Sequence, residues 1–225
     1  TVSYIQEVYV IISIANPKGG VGKTTLAVNL ATTLIAKFPN ARILELDLQR
    51  SSSQWAGYRA QAGITPIIPV STVNSIKQVP EVTSSYKADP KSFLVVDCGG
   101  IESDYNRSAM SVSDLVVVPV RPSQVEVFAL SRTSSVLKAV DKVGHVVNCG
   151  AFPASISKVN DLMEFIRNTD GYKLLNTVVR FRADYQDAYA EGQSVIEYSR
   201  SSRAAGEILA LTNEIRRLLK RRANG

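Results

Sequence analysis

The sequence predicts an α/β fold in which a mostly parallel, twisted sheet carries helices on both faces. Apolar runs rich in valine and isoleucine recur along the 225 residues. They are continuous rather than alternating, which is typical of strands covered on both faces. Segments of helical periodicity separate these runs, and this alternation favours parallel strands joined by right-handed crossovers. No linker divides the chain, so we expect a single domain over residues 1–225.

The elements follow from these patterns. Six apolar runs are predicted to be strands: Val8–Ile14, Arg42–Asp47, Ile67–Val70, Phe93–Asp97, Leu115–Val120 and His145–Cys149. Helical patterns lie between and after them, at Lys23–Lys37, Ser52–Gln61, Glu126–Val143, Asn160–Asn168 and Glu207–Arg222. Residues 70–90 have a weak pattern that allows either a short strand and helix or a mobile loop.

The composition excludes several classes of protein. A chain with 45% apolar and 20% charged residues is not largely disordered. The longest apolar runs, such as Leu115–Val120, fall far short of the roughly 20 residues that span a membrane. The first residues do not have the pattern of a secretion signal, and Cys98 and Cys149 stand outside any metal-binding spacing. We therefore expect a cytoplasmic protein with reduced thiols.

The positive charge is concentrated near the C-terminus. The net charge is +6, and residues 214–225 contribute +4 of it, through five cations and the single acid Glu214. The cations are Arg216, Arg217, Lys220, Arg221 and Arg222. They suit a packed helix end that complements the helix dipole, or a patch that binds DNA phosphates without sequence preference. Membrane attachment is less favoured, since the last turns lack Phe and Trp.

A glycine-rich loop joins the first predicted strand to the first predicted helix, and it reads Asn16-Pro17-Lys18-Gly19-Gly20-Val21-Gly22-Lys23-Thr24-Thr25. Glycines let successive N–H groups point at a polyphosphate, and the helix N-terminus adds positive charge there. In such a loop Lys23 meets the β- and γ-phosphates, Thr24 completes Mg²⁺ coordination and Thr25 reaches the α-phosphate side. The alternative is a glycine-rich turn with two solvated lysines.

Carboxylates follow two of the predicted strands. Glu45 and Asp47 lie at the end of one, and Asp97 ends the apolar run Phe93–Asp97. A carboxylate at the carboxyl end of a parallel strand lies beside the ligand crevice of an open α/β sheet. Asp97 would act on Mg²⁺ through a water molecule. Asp47 could instead be a turn or capping acid, and Ser51 or Ser52 is expected to cap the next helix.

The loop resembles the deviant Walker A box of the ParA/MinD family of P-loop ATPases, with Lys18 as its additional lysine. The segment from Glu45 to Ser51 is similar to the family's DxDPQxS, although Glu45 replaces an Asp and Leu48 replaces the usual Pro. The succession Gly192-Gln193-Ser194-Val195-Ile196-Glu197 is also similar to small partition ATPases. The resemblance covers about Val10–Leu219.

The resemblance implies a P-loop NTPase fold that uses ATP and Mg²⁺. It further implies a homodimer that sandwiches ATP, with Lys18 of one subunit reaching the phosphates held by the other and Asp47 positioning the attacking water. The catalytic residues would be Lys18, Lys23 and Asp47. The chain is most similar to partition ATPases that lack an N-terminal DNA-binding domain. Such a protein would bind DNA non-specifically, associate with the nucleoid and have its hydrolysis stimulated by a small ParB-like partner.

Asn148 ends the sixth predicted strand, close to where an adenine would lie, and its amide either pairs with the base or forms a turn. The nucleotide-binding residues are thus predicted to be Lys18, Gly19, Gly20, Val21, Gly22, Lys23, Thr24, Thr25 and Asn148. The metal-binding residues are predicted to be Thr24 and Asp97.

Other functions stay open at this point. One is a MinD-like regulator that cycles on and off a membrane, and a second is a ParA-type protein that positions a cargo other than DNA. A third is a carrier of a metal cluster held by Cys98 and Cys149 at a dimer axis.

Overall fold

The structure is a computed structural model, and it describes residues 9–36, 38–87, 91–101, 103–121, 124–151 and 156–223. Side chains are described over these ranges except at 124–129, 151, 156–159, 161, 222 and 223. The strands are β1 (Val10–Ile14), β2 (Asn40–Glu45), β3 (Val70–Thr72), β4 (Ser92–Asp97), β5 (Leu115–Val120), β6 (Gly144–Ala151) and β7 (Tyr172–Arg180).

The helices follow the strands in near-regular alternation. They are α1 (Lys23–Leu34), α2 (Ser51–Gln61), α3 (Gln78–Lys87), α4 (Asp104–Val112), α5 (Gln124–Ala139), α6 (Ile156–Arg167), α7 (Ala183–Ala190), α8 (Val195–Tyr198) and α9 (Arg203–Ala223). None of the helices in the described residues is long and apolar enough to cross a membrane.

One parallel sheet holds the seven described strands in the order β3-β2-β4-β1-β5-β6-β7. Strands β2 and β3 lie on one side of β1, and β4 is inserted between β1 and β2. Strands β5, β6 and β7 then follow in order on the other side of β1. The carboxyl ends of β1, β2, β4 and β5 therefore lie together where the chain switches sides, which is where open α/β sheets bind ligands. The predicted fold class is confirmed.

Two apolar clusters cover the faces of the sheet. Alternate residues of β1 divide between them, with Ile12 and Ile14 on one face and Ile11 on the other. Helices α1, α2, α7, α8 and α9 contribute to the first cluster. Helices α3, α4, α5 and α6 contribute to the second. Burial on both faces explains why the central strands have continuous apolar runs.

Several predicted boundaries are wrong. The predicted strand Ile67–Val70 is displaced, since β3 begins only at Val70 and Ile67 is exposed. Pro69 accepts a hydrogen bond from the Ile43 N–H but has no N–H to return, so regular pairing starts after it. Residues 70–90 form a short strand and a helix over their described part, which is one of the two expected alternatives. Helix α5 ends at Ala139 rather than Val143, and Asp141 beyond it has a left-handed φ of 53°.

The predicted strands and helices did not include β7, α4, α7 or α8. Strand β7 lies at the sheet edge, and its burial is irregular because its pairing with β6 shifts register between Val146 and Asn148. An interrupted strand of this kind lacks both the continuous and the alternating pattern. Val8 and Lys37, at the ends of two predicted elements, lie outside the described residues.

Candidate active site

The glycine-rich loop lies between β1 and α1, at the carboxyl edge of the sheet. Gly20 and Gly22 adopt φ values of 72° and 102°, and Gly22 is the N-cap of α1. Only glycine takes such values without strain. The buried amide of Asn16 fixes the start of the loop, because it donates to the Pro119 carbonyl at 2.8 Å and accepts from the Lys18 N–H at 2.8 Å. The loop is thus tied to β5 at its base while Gly19 and Gly20 are exposed.

Lys23 is buried in the curve of this loop. Its Nζ donates to the Lys18 carbonyl at 2.9 Å, and the residue is 6% exposed. A buried ammonium requires compensating acceptors. An ammonium group beside left-handed glycines and a helix N-terminus suits the oxygens of a polyphosphate. The Lys23 ammonium therefore lies within the loop, close to the N-terminus of α1.

Asp97, at the end of β4, lies directly behind Thr24. Its Oδ2 accepts from the Thr24 hydroxyl at 2.8 Å and from the Ser52 hydroxyl at 2.7 Å. Burial raises the pKa of the Asp97 carboxyl to about 6, because desolvation outweighs the two hydrogen bonds. Its Oδ1 is buried and has no hydrogen-bond partner among the described residues. An unsatisfied carboxylate oxygen beside a threonine hydroxyl fits Mg²⁺ and the water molecules it carries.

Asp47 lies on the other side of β4, just beyond the end of β2. The Leu46 N–H donates to the Asp97 carbonyl at 2.9 Å, which continues the pairing of β2 with β4. Asp47 Oδ1 accepts from the Gln49 N–H at 3.0 Å in an exposed turn. A Cβ at Gly99 would lie 3.7 Å from the Asp47 Cα. The structure thus places Asp47 at the rim of the site, separated from the loop only by the segment that follows β4.

That segment is held close to the loop. A Cβ at Gly100 would lie 3.5 Å from the Gly19 backbone and 3.6 Å from Lys23 Nζ. Asn106, in α4, accepts from the Gly99 N–H at 3.0 Å and donates to the carbonyls of Gly99 at 3.1 Å and Ile101 at 2.8 Å. Sequence reasoning missed Asn106, since nothing in the local pattern of an unpredicted helix distinguishes it.

Glu45 has a structural role that the sequence did not reveal. It is fully buried and accepts from the N–H groups of Ser52 and Ser53, at 2.7 and 3.2 Å, and from the Ser53 hydroxyl. The carboxylate therefore caps the N-terminus of α2 from the neighbouring strand. The expected capping by Ser51 or Ser52 is wrong: the N-cap is Arg50, with φ 56° and no side-chain cap.

The Gly-x-Ser-Val-x-Glu segment joins α1 to α2 behind the site. The Val195 N–H donates to Asn29 Oδ1 of α1 at 2.9 Å. Glu197 receives two hydrogen bonds from the buried Arg59 of α2, at 2.7 and 3.0 Å. Ser194 and Glu197 also form a capping box for α8. The segment contributes to holding the phosphate loop and α2 in a fixed relation.

An open groove beside the loop is lined by Val21, Gly22 and Thr25, and by cations that sequence reasoning did not assign to the site: Arg121, Arg180 and Arg182. Asn148 is not among its lining residues. Its side chain is 2% exposed, and neither amide atom has a hydrogen-bond partner among the described residues. Contact between Asn148 and a base stays a prediction.

The basic C-terminal residues lie away from this site. Glu207 of α9 accepts from the N–H of Arg180, where β7 ends, and Glu214 accepts from the N–H groups of Asn176 and Thr177, earlier in β7. Helix α9 therefore runs antiparallel to β7, and its end points to the amino edge of the sheet. Arg216 is half-buried there, and the other described basic side chains, Arg217, Lys220 and Arg221, are exposed. The Arg222 side chain lies outside the described residues.

The two cysteines are buried on opposite faces of the sheet, Cys98 in one apolar cluster and Cys149 in the other. Burial raises the pKa of the Cys98 thiol to about 12, which opposes the thiolate that metal ligation needs. Among the described residues there is no group of three or more His, Cys, Asp or Glu side chains that could hold a metal ion. The geometry gives no support to a cluster carrier.

A known protein family matches the part of the chain that contains this loop. The family described as the CobQ/CobB/MinD/ParA nucleotide binding domain matches residues 12–195. The chain belongs to this family. It is a ParA/MinD-family ATPase, and its P-loop NTPase fold agrees with solved structures of the family.

Several named proteins are similar to this chain over most of their length. The chain is 24% identical over 211 residues to the maintenance of carboxysome distribution protein A of Halothiobacillus neapolitanus, covering 91% of this chain and 95% of that protein. It is 24% identical to the sporulation initiation inhibitor protein Soj of Bacillus subtilis, covering 91% and 97%. The septum site-determining protein MinD of Pyrococcus horikoshii, solved with Mg-ADP, superimposes with a TM-score of 0.70 at 21% identity, covering 93% and 97%.

Proposed function

We propose that this ParA/MinD-family ATPase partitions DNA, plasmid or chromosomal. It binds ATP as a sandwich dimer, the dimer binds DNA non-specifically, and hydrolysis resets it. The observation that carries the DNA proposal is the exposed end of α9. The acids Glu207 and Glu214 of this helix are engaged with β7, while Arg217, Lys220 and Arg221 are exposed. Exposed cations with few competing acids suit phosphodiester backbones.

The site residues divide the chemistry between them. The loop N–H groups and Lys23 bind the β- and γ-phosphates, with Val21, Gly22 and Thr25 shaping the α-phosphate side. Thr24 would hold Mg²⁺ directly, and Asp97 would hold it through water. When bound, Mg²⁺ neutralises charge on the phosphate oxygens. Asp47 orients the attacking water, Lys18 of the partner subunit stabilises the transition state, and Asn148 pairs with the adenine.

The proposed cycle requires a partner and a location. A small ParB-like DNA-binding protein stimulates hydrolysis and releases the dimer. The ATP-bound dimer associates with the nucleoid in the cytoplasm, and binding to a membrane is not part of the cycle.

DNA binding is tested with a variant that replaces all five basic residues, Arg216, Arg217, Lys220, Arg221 and Arg222, by alanine. Affinity for a random DNA duplex with MgATP should fall, and the slope of log affinity against log salt should flatten by roughly 0.9 for each lost phosphate contact. The matched control replaces five exposed cations that lie in or next to helices α3, α4 and α5. They are Lys77, Lys87, Arg107, Arg132 and Lys138. Equal losses in both variants, or none in the first, would remove the DNA role of α9.

A second candidate function is the positioning of a protein cargo, which the carboxysome distribution relative favours. The two functions differ in their cellular consequence. Deleting the gene should raise the loss rate of a DNA element if the protein partitions DNA. If the cargo is protein, the deletion should leave the inheritance of DNA unchanged, and a protein assembly should become clustered in the cell.

A further inference from the structure

The Ser52 side chain makes a contact that the proposed chemistry does not require. Ser52 is fully buried in the first turn of α2, and its hydroxyl donates to Asp97 Oδ2 at 2.7 Å across 45 residues of sequence. The Thr24 hydroxyl donates to the same oxygen at 2.8 Å. Two donors therefore converge on Oδ2, while Oδ1 has no partner among the described residues.

We propose that Ser52 is a positioning residue for the magnesium site: its hydroxyl fixes the Asp97 carboxylate so that Oδ1 stays available to a water molecule on Mg²⁺. This inference rests on the proposed Mg-nucleotide site. The Thr24 hydroxyl has a second task there, because its oxygen is itself a metal ligand. Among the described residues the Ser52 hydroxyl donates only to Asp97, and hydrogen-bonding partners of this kind control metal affinity.

Helix α2 is anchored firmly enough to make this contact rigid. At its N-terminus Glu45 receives the Ser52 N–H at 2.7 Å. At its other end the Arg59 guanidinium binds both Glu197 oxygens and donates to the Gly192 carbonyl at 3.0 Å. Between them the Trp55 indole N–H donates to the Gln193 carbonyl at 3.1 Å. Removing the Ser52 hydroxyl should therefore leave the Thr24 hydroxyl as the one described side-chain donor to Asp97, since α2 is held too firmly to shift and supply another.

The test measures binding of a fluorescent ADP analogue while Mg²⁺ is titrated, so that neither turnover nor ATP-dependent dimerisation contributes. Mg²⁺ is expected to strengthen binding of the analogue, and the Mg²⁺ concentration that gives half of this increase should be about 10-fold higher in Ser52→Ala than in the wild type. Affinity for the analogue in EDTA should stay at the wild-type value. Ser52→Thr, which keeps a hydroxyl, should restore the wild-type magnesium dependence.

The control is Ser53→Ala, which removes a neighbouring hydroxyl that binds Glu45 rather than Asp97. Its magnesium dependence should match the wild type, and urea unfolding of each variant checks that the fold is retained. An unshifted Mg²⁺ titration for Ser52→Ala would overturn the inference and leave the proposed function standing. Equal weakening of ADP binding with and without Mg²⁺ would also overturn it, by indicating a general structural role. Wild-type binding that is indifferent to Mg²⁺ would overturn the proposed Mg-nucleotide site, and the inference with it.

Discussion

Asp97 and Asp47 follow neighbouring strands but have different surroundings. Asp97 is fully buried beneath two hydroxyl donors, whereas Asp47 lies at the rim and its carboxylate accepts only the Gln49 N–H among the hydrogen bonds described. A buried carboxylate held by hydrogen bonds suits a metal site, because its oxygens are already oriented when the metal binds. A half-exposed carboxylate can reach a water molecule in the crevice. This difference in burial agrees with the two different roles proposed for these carboxylates.

Asp47→Ala should stop turnover without preventing ATP binding. Without a carboxylate to orient the water, phosphate release should fall at least roughly 100-fold, while ATP affinity changes by less than a few-fold. Single-turnover phosphate release and binding of a fluorescent ATP analogue measure the two quantities. The control is Asp104→Ala, which removes an exposed acid from the start of α4. Phosphate release at the wild-type rate would exclude Asp47 as the residue that orients the water.

At the scale of elements, the turn between α7 and α8 packs closely against the backbone of α2. Gly192 has φ +67°, and a Cβ there would lie 2.2 Å from the Arg59 backbone N and 2.5 Å from its Cα. Only glycine permits the turn before α8 to approach the backbone of α2 this closely. The glycine in the Gly-x-Ser-Val-x-Glu pattern is therefore explained by packing rather than by contact with the nucleotide.

Gly192→Ala should destabilise the protein by about 3 kcal/mol, since it combines overpacking against backbone with a left-handed conformation. Urea unfolding measures the change. Gly206→Ala is the matched control, because a Cβ at this exposed position of α9 meets nothing within 4 Å. The control should stabilise the protein by roughly 0.5–1 kcal/mol. Similar unfolding midpoints for the two variants would contradict this account of α8.

Helix α9 secures the edge of the sheet through two acids. Glu214 accepts from the N–H groups of Asn176 and Thr177 and from both side chains, where β7 departs from regular pairing with β6. Burial opposes the charged form of Glu214, but these hydrogen bonds outweigh it and lower its pKa below the ordinary value of 4.5. The charged carboxylate is therefore part of how the irregular strand is held.

Glu214→Gln should destabilise the protein at pH 7 by about 2 kcal/mol, the range for hydrogen bonds to a charged group. Because the folded pKa is lowered, this stabilisation is present above about pH 4.5 and is lost as the pH falls through the folded value. The wild type and the variant should therefore converge in stability at low pH. Urea unfolding at pH 7 and below pH 4 measures both differences. A gap that stays constant over this range would show that the charge of Glu214 is not what stabilises β7.

At the scale of the whole molecule, the nucleotide site and the basic end of α9 lie at opposite edges of the sheet. The phosphate loop follows the carboxyl end of β1, while α9 runs back along β7 to the amino edge. The loop and these cations therefore lie on different sides of the protomer. In the proposed cycle, ATP-dependent DNA binding follows from dimerisation, because two basic patches on one particle bind a polyanion more tightly than either alone.

The sequence was sufficient for the parts of the molecule whose signals are local. Continuous apolar runs predicted the buried strands, and the glycines before Lys23 predicted the loop together with its place between strand and helix. The rest depends on contacts between distant residues. The Ser52 hydroxyl meets Asp97 across 45 residues, and Arg59 meets Glu197 across 138. Ser51 or Ser52 was predicted as a helix cap because serine is common there, and only the structure reveals that the Glu45 carboxylate caps α2 instead.

Light scattering on Asp47→Ala, which should bind ATP without hydrolysing it, tests the central claim most directly. With MgATP we expect a mass twice that of the 24.5 kDa protomer, and with MgADP the mass of the protomer alone. Adding Lys18→Ala to the same protein should return it to the protomer mass in both nucleotides, because the cross-subunit contact with the phosphates is lost. A protomer mass with MgATP, or an undiminished dimer without Lys18, would contradict the ATP-sandwich mechanism.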